Sequence, residues 1–101
     1  MGLIQHYAIV ATTWNEESAD ALDQWISSLQ KADKELFTPR MGSWVNGYIT
    51  YVLVPDGSKE GWALSRIGDS LRDRFIARLG KNWEWVEVSF GDLGYNIPRG
   101  G

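Results

Sequence analysis

The dipeptide Asn46-Gly47 is the feature of this sequence that most constrains the fold. It lies between two runs rich in β-branched and aromatic residues, at 36–45 and 48–54. The tightest hairpin turns require positive φ at both central positions, which asparagine followed by glycine adopts readily. The sequence therefore predicts a β-hairpin here. Pro39 has no amide hydrogen to donate, which predicts an edge strand for the first arm, whereas the apolar second arm indicates a central strand.

A strand and an amphipathic helix are predicted before this hairpin. Residues 3–12 contain β-branched and aromatic side chains without a breaker, which is typical of a strand. Apolar side chains then recur at helical spacing over residues 16–31. Thr13 and Asn15 are both candidate N-caps for this helix, and Thr13 stands at the capping-box distance from Glu16.

A second helix and a last strand are predicted after the hairpin. The helix begins between residues 59 and 66 and ends at Gly80, since glycine favours the position after a helix C-terminus. Residues 83–90 alternate between two sets of side chains, which is the pattern of a strand. The predicted buried side of the helix consists of Leu64, Ile67, Leu71, Phe75 and Leu79.

The predicted element order is strand, helix, strand, strand, helix, strand. Because both helices are amphipathic and such crossovers are right-handed, both are expected on one face of a single sheet. This order resembles the ferredoxin-like βαββαβ plait, an α+β fold with one antiparallel four-stranded sheet in the order 4-1-3-2. The resemblance is architectural and implies no function by itself. Residues 1–90 are predicted to form one α/β plait domain, and the glycine-rich residues 91–101 a flexible C-terminal tail.

The six tryptophans of the chain indicate a binding surface. In the last strand, the valines and Phe90 are expected to face the helices, which puts the alternate side chains on the uncovered face. Two helices are not expected to bury six tryptophans, and an exposed aromatic patch is unusual on a soluble monomer. The predicted binding surface consists of Trp44, Tyr51, Trp83, Trp85 and Glu87.

Several occupants of this surface are open at this stage: a second copy of the chain, another protein, a flat ligand, or the chain's own tail. Two-fold packing of self-complementary patches is the commonest oligomer. The sequence therefore favours a small non-catalytic interaction protein that contacts itself or another protein. Its size and composition also suit an accessory protein of a phage or mobile element.

A first alternative is a cofactor-free enzyme of the dimeric ferredoxin-like type, with His6 as general base. Such a base needs a carboxylate to orient it, and Glu84 or Glu87 on the neighbouring strand is the candidate. A single histidine on a strand is more often a packed or solvated residue.

A second alternative is an anion or nucleotide site in the loop at residues 57–62, before the second helix. Backbone amides at a helix N-terminus attract anions. The residues predicted to contribute are Gly57, Ser58, Lys59 and Gly61. The spacing is not that of a phosphate-binding Walker loop, and a turn followed by a helix cap explains the same residues.

The composition excludes several classes of site and partner. The chain has no cysteine, which excludes disulfides, thiolate zinc sites and cysteine nucleophiles. With His6 as the single histidine, no histidine metal cluster is expected, and no cofactor is predicted. A net charge of −3 argues against binding to nucleic acid. No apolar run is long enough for a membrane span, and no signal peptide is evident, so a cytoplasmic location is expected.

Overall fold

The computed structural model describes residues 3–59 and 61–101, so Met1, Gly2 and Glu60 lie outside the described residues. The described chain forms an α+β fold with five strands in one antiparallel sheet, in the order β2-β3-β1-β4-β5. None of its helices has the length and apolar character needed to cross a bilayer. The elements in chain order are β1 (Gln5–Thr13), α1 (Glu16–Ser27), α2 (Lys31–Lys34), β2 (Met41–Gly42), β3 (Ile49–Leu53), α3 (Ala63–Arg78), β4 (Trp83–Gly91) and β5 (Asn96–Gly100).

The central hairpin is present, and its turn has the predicted backbone conformation. Asn46 and Gly47 have φ values of 67° and 65°. The arms are shorter than predicted, because β2 contains two paired residues and residues 43–48 form the loop. The Ser43 side chain holds this loop by accepting the backbone N–H of Tyr48 at 3.0 Å. The prediction of an edge strand followed by an interior strand is confirmed for β2 and β3.

The first predicted helix is two helices. α1 begins after Asn15, whose side chain accepts the N–H of Ser18 at 2.8 Å, so Asn15 rather than Thr13 is the N-cap. The Thr13 hydroxyl donates instead to the backbone oxygen of Asn82 at 2.7 Å. α1 ends at Ser27, and the short helix α2, which was not predicted, follows it.

The predicted apolar stripe of α3 is only partly buried. Leu71 and Phe75 are each at most 1% exposed, whereas Leu64 and Ile67 are more than half exposed. The stripe was predicted from periodicity alone, and periodicity does not show where along a helix the sheet beneath it ends. The core is therefore formed by the second half of α3.

The C-terminal segment predicted as a flexible tail contains the fifth strand, so the prediction of a four-stranded sheet with β4 at its edge is wrong. Two side-chain contacts hold this segment, one at the turn before β5 and one on β5 itself. The Gln5 amide accepts the N–H of Leu93 and donates to the carbonyl of Gly94, both at 2.9 Å. The Arg99 guanidinium donates to both carboxylate oxygens of Glu87 at 2.9 Å. Composition alone predicted a loose tail, because the side chains that hold this segment, those of Gln5 and Glu87, lie elsewhere in the chain.

The core lies between one face of the sheet and the two longer helices. Tyr51 and Trp83 pack together there, with ring centroids 5.9 Å apart. Trp25 of α1 stacks on Phe75 of α3 with centroids 6.3 Å apart. The buried cluster consists of Ile9, Ala11, Ala19, Leu22, Tyr51, Leu53, Leu71, Phe75 and Trp83.

Candidate functional site

The prediction that Trp83 and Trp85 lie on the uncovered face of the sheet is wrong. Trp83 is 7% exposed within the core, and Trp85 is partly buried against it. Their cross-strand partners on β1 are Thr13 and Ala11, which are also buried. Alternation along β4 separates its side chains into two faces, but it does not show which face the helices cover. The indoles are the inward set.

Glu87 and Tyr51, also predicted for the binding surface, lie on the same inward face. Glu87 is 2% exposed and its carboxylate is bound by Arg99. The Tyr51 hydroxyl donates to Asp23 at 2.5 Å and accepts Nε of Arg40 at 3.3 Å. Burial, together with the Asp23 bond, raises the pKa of Tyr51 to about 12. Both side chains therefore stabilise the fold rather than contact a partner.

All five residues predicted for the binding surface belong to the described part of the chain. Of these five, Trp44 alone is fully exposed. It lies in the loop between β2 and β3, beyond the paired part of the sheet. The structure thus does not bring the five predicted residues together on one surface. The hypothesis of an aromatic sheet face is overturned.

The opposite face of the sheet carries no helix of residues 3–59 and 61–101, because both longer helices bury their apolar residues on the indole side. Successive side chains of a strand point to opposite faces, so the alternation of β1, β3 and β4 defines which residues lie here. We call this surface the open face. It consists of His6, Ala8, Val10, Thr12, Thr50, Val52, Glu84, Val86, Val88 and Phe90.

The centre of the open face is apolar. Val10 lies directly between Val52 of β3 and Val86 of β4. All three valines are partly buried by their neighbours, without any helix above them. Antiparallel sheets with one solvated face usually place polar side chains on that face. Valines at these positions are therefore unexpected unless another surface covers them.

The polar groups of the open face lie towards its two ends. At one end the hydroxyls of Thr12 and Thr50 are hydrogen-bonded to each other at 2.8 Å, and Glu84 lies opposite Thr12. At the other end His6 lies opposite Phe90, with ring centroids 5.1 Å apart. No charged side chain therefore lies among the central valines.

Two depressions flank the valines. One, of about 590 Å³, lies at the Thr12 end and is lined also by Tyr48 and Glu84. The other, of about 490 Å³, lies between Phe90 and the β4–β5 turn, where Tyr95 and Ile97 line it. Tyr95 is 90% exposed and Ile97 66% exposed. The apolar surface of the open face thus continues onto the segment that was predicted to be a loose tail.

Neither of the carboxylates predicted to orient His6 lies beside it in the sheet. Glu84 lies opposite Thr12, six positions along β1 from His6, and Glu87 lies on the other face of the sheet. The prediction that either carboxylate orients His6 is therefore wrong. The ring that packs against the His6 imidazole belongs to Phe90, which has no group that accepts a proton.

The loop predicted to bind an anion is folded around a carboxylate of its own. The backbone N–H and the hydroxyl of Ser58 both donate to Asp56, at 2.8 and 2.6 Å. Lys59 lies over the ring of Trp62, 5.5 Å from its centroid. Gly57 and Gly61 have positive φ, as turn residues do. The Ser58 amide thus already has a carboxylate partner, while Glu60 of the same loop lies outside the described residues.

Arg72 is a buried residue that the sequence reasoning missed, because it stands among charged positions of α3. It is 5% exposed, donates to Asp56 at 3.1 Å and to Asp69, and lies 5.1 Å from the ring centroid of Tyr7. Burial by itself would raise the pKa of Asp56. The hydrogen bonds from Ser58 and Arg72 have the larger, opposite effect, so the pKa of Asp56 lies below its usual value. This cluster attaches the loop to α3.

No protein-family model, no curated protein and no solved structure matches this chain at a significant level. In residues 3–59 and 61–101, no three His, Asp or Glu side chains come close enough to share a metal ion.

Proposed function

We propose that this chain is an interaction protein and that the open face is its binding surface, occupied by a second copy of the same chain. The observation that supports this is the row of valines Val52, Val10 and Val86 across three strands with no helix over them. Contiguous apolar patches of this kind on a folded protein typically mark interaction sites.

The size of the open face suits a dimer of two small subunits. Strands about 4.8 Å apart and up to about 30 Å long give the open face a projected area of roughly 500 Å² when the flanking strands β2 and β5 are counted with β1, β3 and β4. Two copies would together bury roughly 1,000 Å², which is the lower limit for a specific interface. Tyr48, Tyr95 and Ile97 would extend it, because they line the depressions at the two ends.

The charge pattern also favours self-association. The chain has a net charge of −3, yet the middle of the open face holds valines and an alanine. Two copies related by a two-fold axis would bring apolar side chains together without opposing like charges at the centre. Glu84 lies at one end, where an interface rim is solvated.

At the level of the fold, we propose that β1 to β4 with α1 and α3 form a ferredoxin-like plait, to which α2 and β5 are additions. The strand order β2-β3-β1-β4 supports this. A cytoplasmic location and an origin in a phage or mobile element stay predictions from the sequence.

Sedimentation velocity of the full chain between about 1 and 200 μM tests the proposal, with Val10→Thr/Val86→Thr as the test variant. Threonine keeps the shape and strand propensity of valine but adds a hydroxyl. A loss of about 1 kcal/mol per buried position, at four positions in the dimer, weakens association by about 100- to 1,000-fold. Val45→Thr, at an exposed position outside the open face, is the matched control.

The expected result is a wild-type dimer, an unchanged Val45→Thr dimer and a folded monomeric double variant. If the wild-type chain sediments as a monomer at every concentration, the proposal that a second copy covers the open face is wrong. A dimer that survives the double substitution would show that the chain associates through another surface.

A further inference from the structure

A cleft of about 340 Å³ lies away from the open face, where α1, the end of α3 and the start of β4 meet. Its volume is within the range of small-molecule sites, about 300–1,000 Å³. One part of the wall is apolar and is formed by Leu22, Trp25 and Trp83 together with Ala21. The other part is polar and is formed by Ser18, Arg78, Lys81 and Asn82.

The two cations of the cleft have no carboxylate partner within the described part of the chain. Four other arginines, Arg40, Arg72, Arg74 and Arg99, each form an ion pair with an aspartate or glutamate, whereas the exposed Arg66 forms none within the described residues. Arg78 and Lys81 form none, and no acidic residue lines the cleft. Two unpaired positive charges that line one cleft, in a chain with a net charge of −3, favour an anion there.

Packing and hydrogen bonds hold the polar wall in place. The Arg78 guanidinium lies 5.4 Å from the ring centroid of Trp25, whose position is set by stacking on Phe75. Asn82 is held twice, since its carbonyl accepts the Thr13 hydroxyl at 2.7 Å and its side-chain amide donates to Ser18 at 3.2 Å. The favourable position of a cation at a helix C-terminus explains Arg78, but it does not explain Lys81.

From this arrangement we infer that the cleft binds a small organic anion, with a carboxylate or phosphate head on a planar apolar body. The head is held by Arg78 and Lys81, with the Asn82 amide as a further donor. The body lies against the apolar wall of the cleft, which Ala21, Leu22, Trp25 and Trp83 form. Guanidinium and ammonium groups bind both kinds of head, so the class is defined by one anionic head joined to an aromatic body that fits the apolar wall.

The test is an NMR titration of the full chain with benzoate and with phenyl phosphate, following the indole N–H signals of the tryptophans. Saturable shifts are expected at Trp25 and Trp83 but not at Trp62, with dissociation constants of about 1 mM for ligands of this size. Benzyl alcohol, which has the body without the anionic head, is expected to bind at least about tenfold more weakly. Comparison of the two anions distinguishes a carboxylate site from a phosphate site.

Lys81→Gln and Arg78→Gln are each expected to weaken binding about tenfold. The matched control is Arg66→Gln, at an exposed position of α3 about 18 Å along the helix from Arg78. Lys81 is exposed, so Lys81→Gln tests the inference even if Arg78→Gln disturbs Trp25. Absence of saturable shifts at Trp25 and Trp83 up to about 20 mM anion would overturn the inference. So would equal binding of benzyl alcohol, or equal losses in the Arg66→Gln control.

Discussion

Gly68 of α3 provides a quantitative test of how the Asp56 loop is attached. A β-carbon at this position would overlap a carboxylate oxygen of Asp56 and lie 2.9 Å from its Cγ and 3.3 Å from Arg72. Gly68→Ala would therefore displace Asp56 from its bonds with Arg72 and Ser58. Helix propensity alone predicts the opposite sign, because alanine within a helix is favoured over glycine by about 1 kcal/mol.

The structure allows the two effects to be weighed. Arg72 is 5% exposed, and removing one partner of a buried ion pair typically costs about 3–5 kcal/mol. Asp69 stays as a second partner of Arg72, so the lower part of that range applies. After the gain of about 1 kcal/mol in helix propensity, we expect Gly68→Ala to lower the free energy of unfolding by about 2 kcal/mol.

Urea unfolding followed by tryptophan fluorescence, at one protein concentration, measures this effect. Ser70→Ala at an exposed position of the same helix is the control and should change stability by less than about 0.5 kcal/mol. In an Asp56→Ala background the added methyl group no longer meets a carboxylate, so Gly68→Ala should become neutral or stabilising. The reasoning is refuted if Gly68→Ala stabilises the wild-type chain, or if its effect is the same in both backgrounds.

Three further predictions concern contacts within the fold. Since the pKa of Tyr51 is raised from 10.0 to about 12 in the folded chain, its stabilisation is complete below pH 10 and is lost as the pH rises through 12. The urea midpoint should therefore fall over this window, and less steeply in Tyr51→Phe. Arg99→Ala leaves the buried Glu87 carboxylate unpaired and should cost about 2 kcal/mol in urea unfolding, part of which Glu87→Gln restores in the double variant. Gln5→Ala removes the acceptor of the Leu93 amide, whose hydrogen exchange should become about tenfold faster, whereas an unchanged rate would contradict the role assigned to Gln5.

Features that depend on neighbouring residues could be predicted from the sequence. The positive φ values of Asn46 and Gly47 are properties of those two residues in a tight turn. The sequence limits the N-cap of α1 to Thr13 or Asn15. One hydrogen bond, from the Ser18 N–H to the Asn15 side chain, decides for Asn15. The edge position of the first hairpin arm was predicted from the missing amide hydrogen of Pro39, which in the structure lies just before β2.

Features that depend on distant partners could not be predicted in the same way. β5 has a glycine-rich and proline-containing sequence, and the side chains that hold it belong to Gln5 and Glu87. Likewise, the buried Arg72 is paired with Asp56, which lies sixteen positions earlier in the chain. Such pairs become apparent only when the register of the sheet and the position of α3 are known.

The choice of face by β4 can be explained by comparing the surface that each set of side chains removes from water. A buried indole removes about 200 Å² or more, which is roughly 100 Å² more than a valine and is worth about 2.5 kcal/mol at about 25 cal/mol per Å². Burying Trp83 and Trp85 instead of Val86 and Val88 therefore favours the observed face by up to about 5 kcal/mol, a gain that is reduced because Phe90 is left 45% exposed. The cost is that Glu87 enters the core with them, and Arg99 on β5 offsets it with two hydrogen bonds. β5 is thus what allows the indoles to lie inward, and the same choice leaves Val86 and Val88 on the open face, where the proposed second copy would cover them.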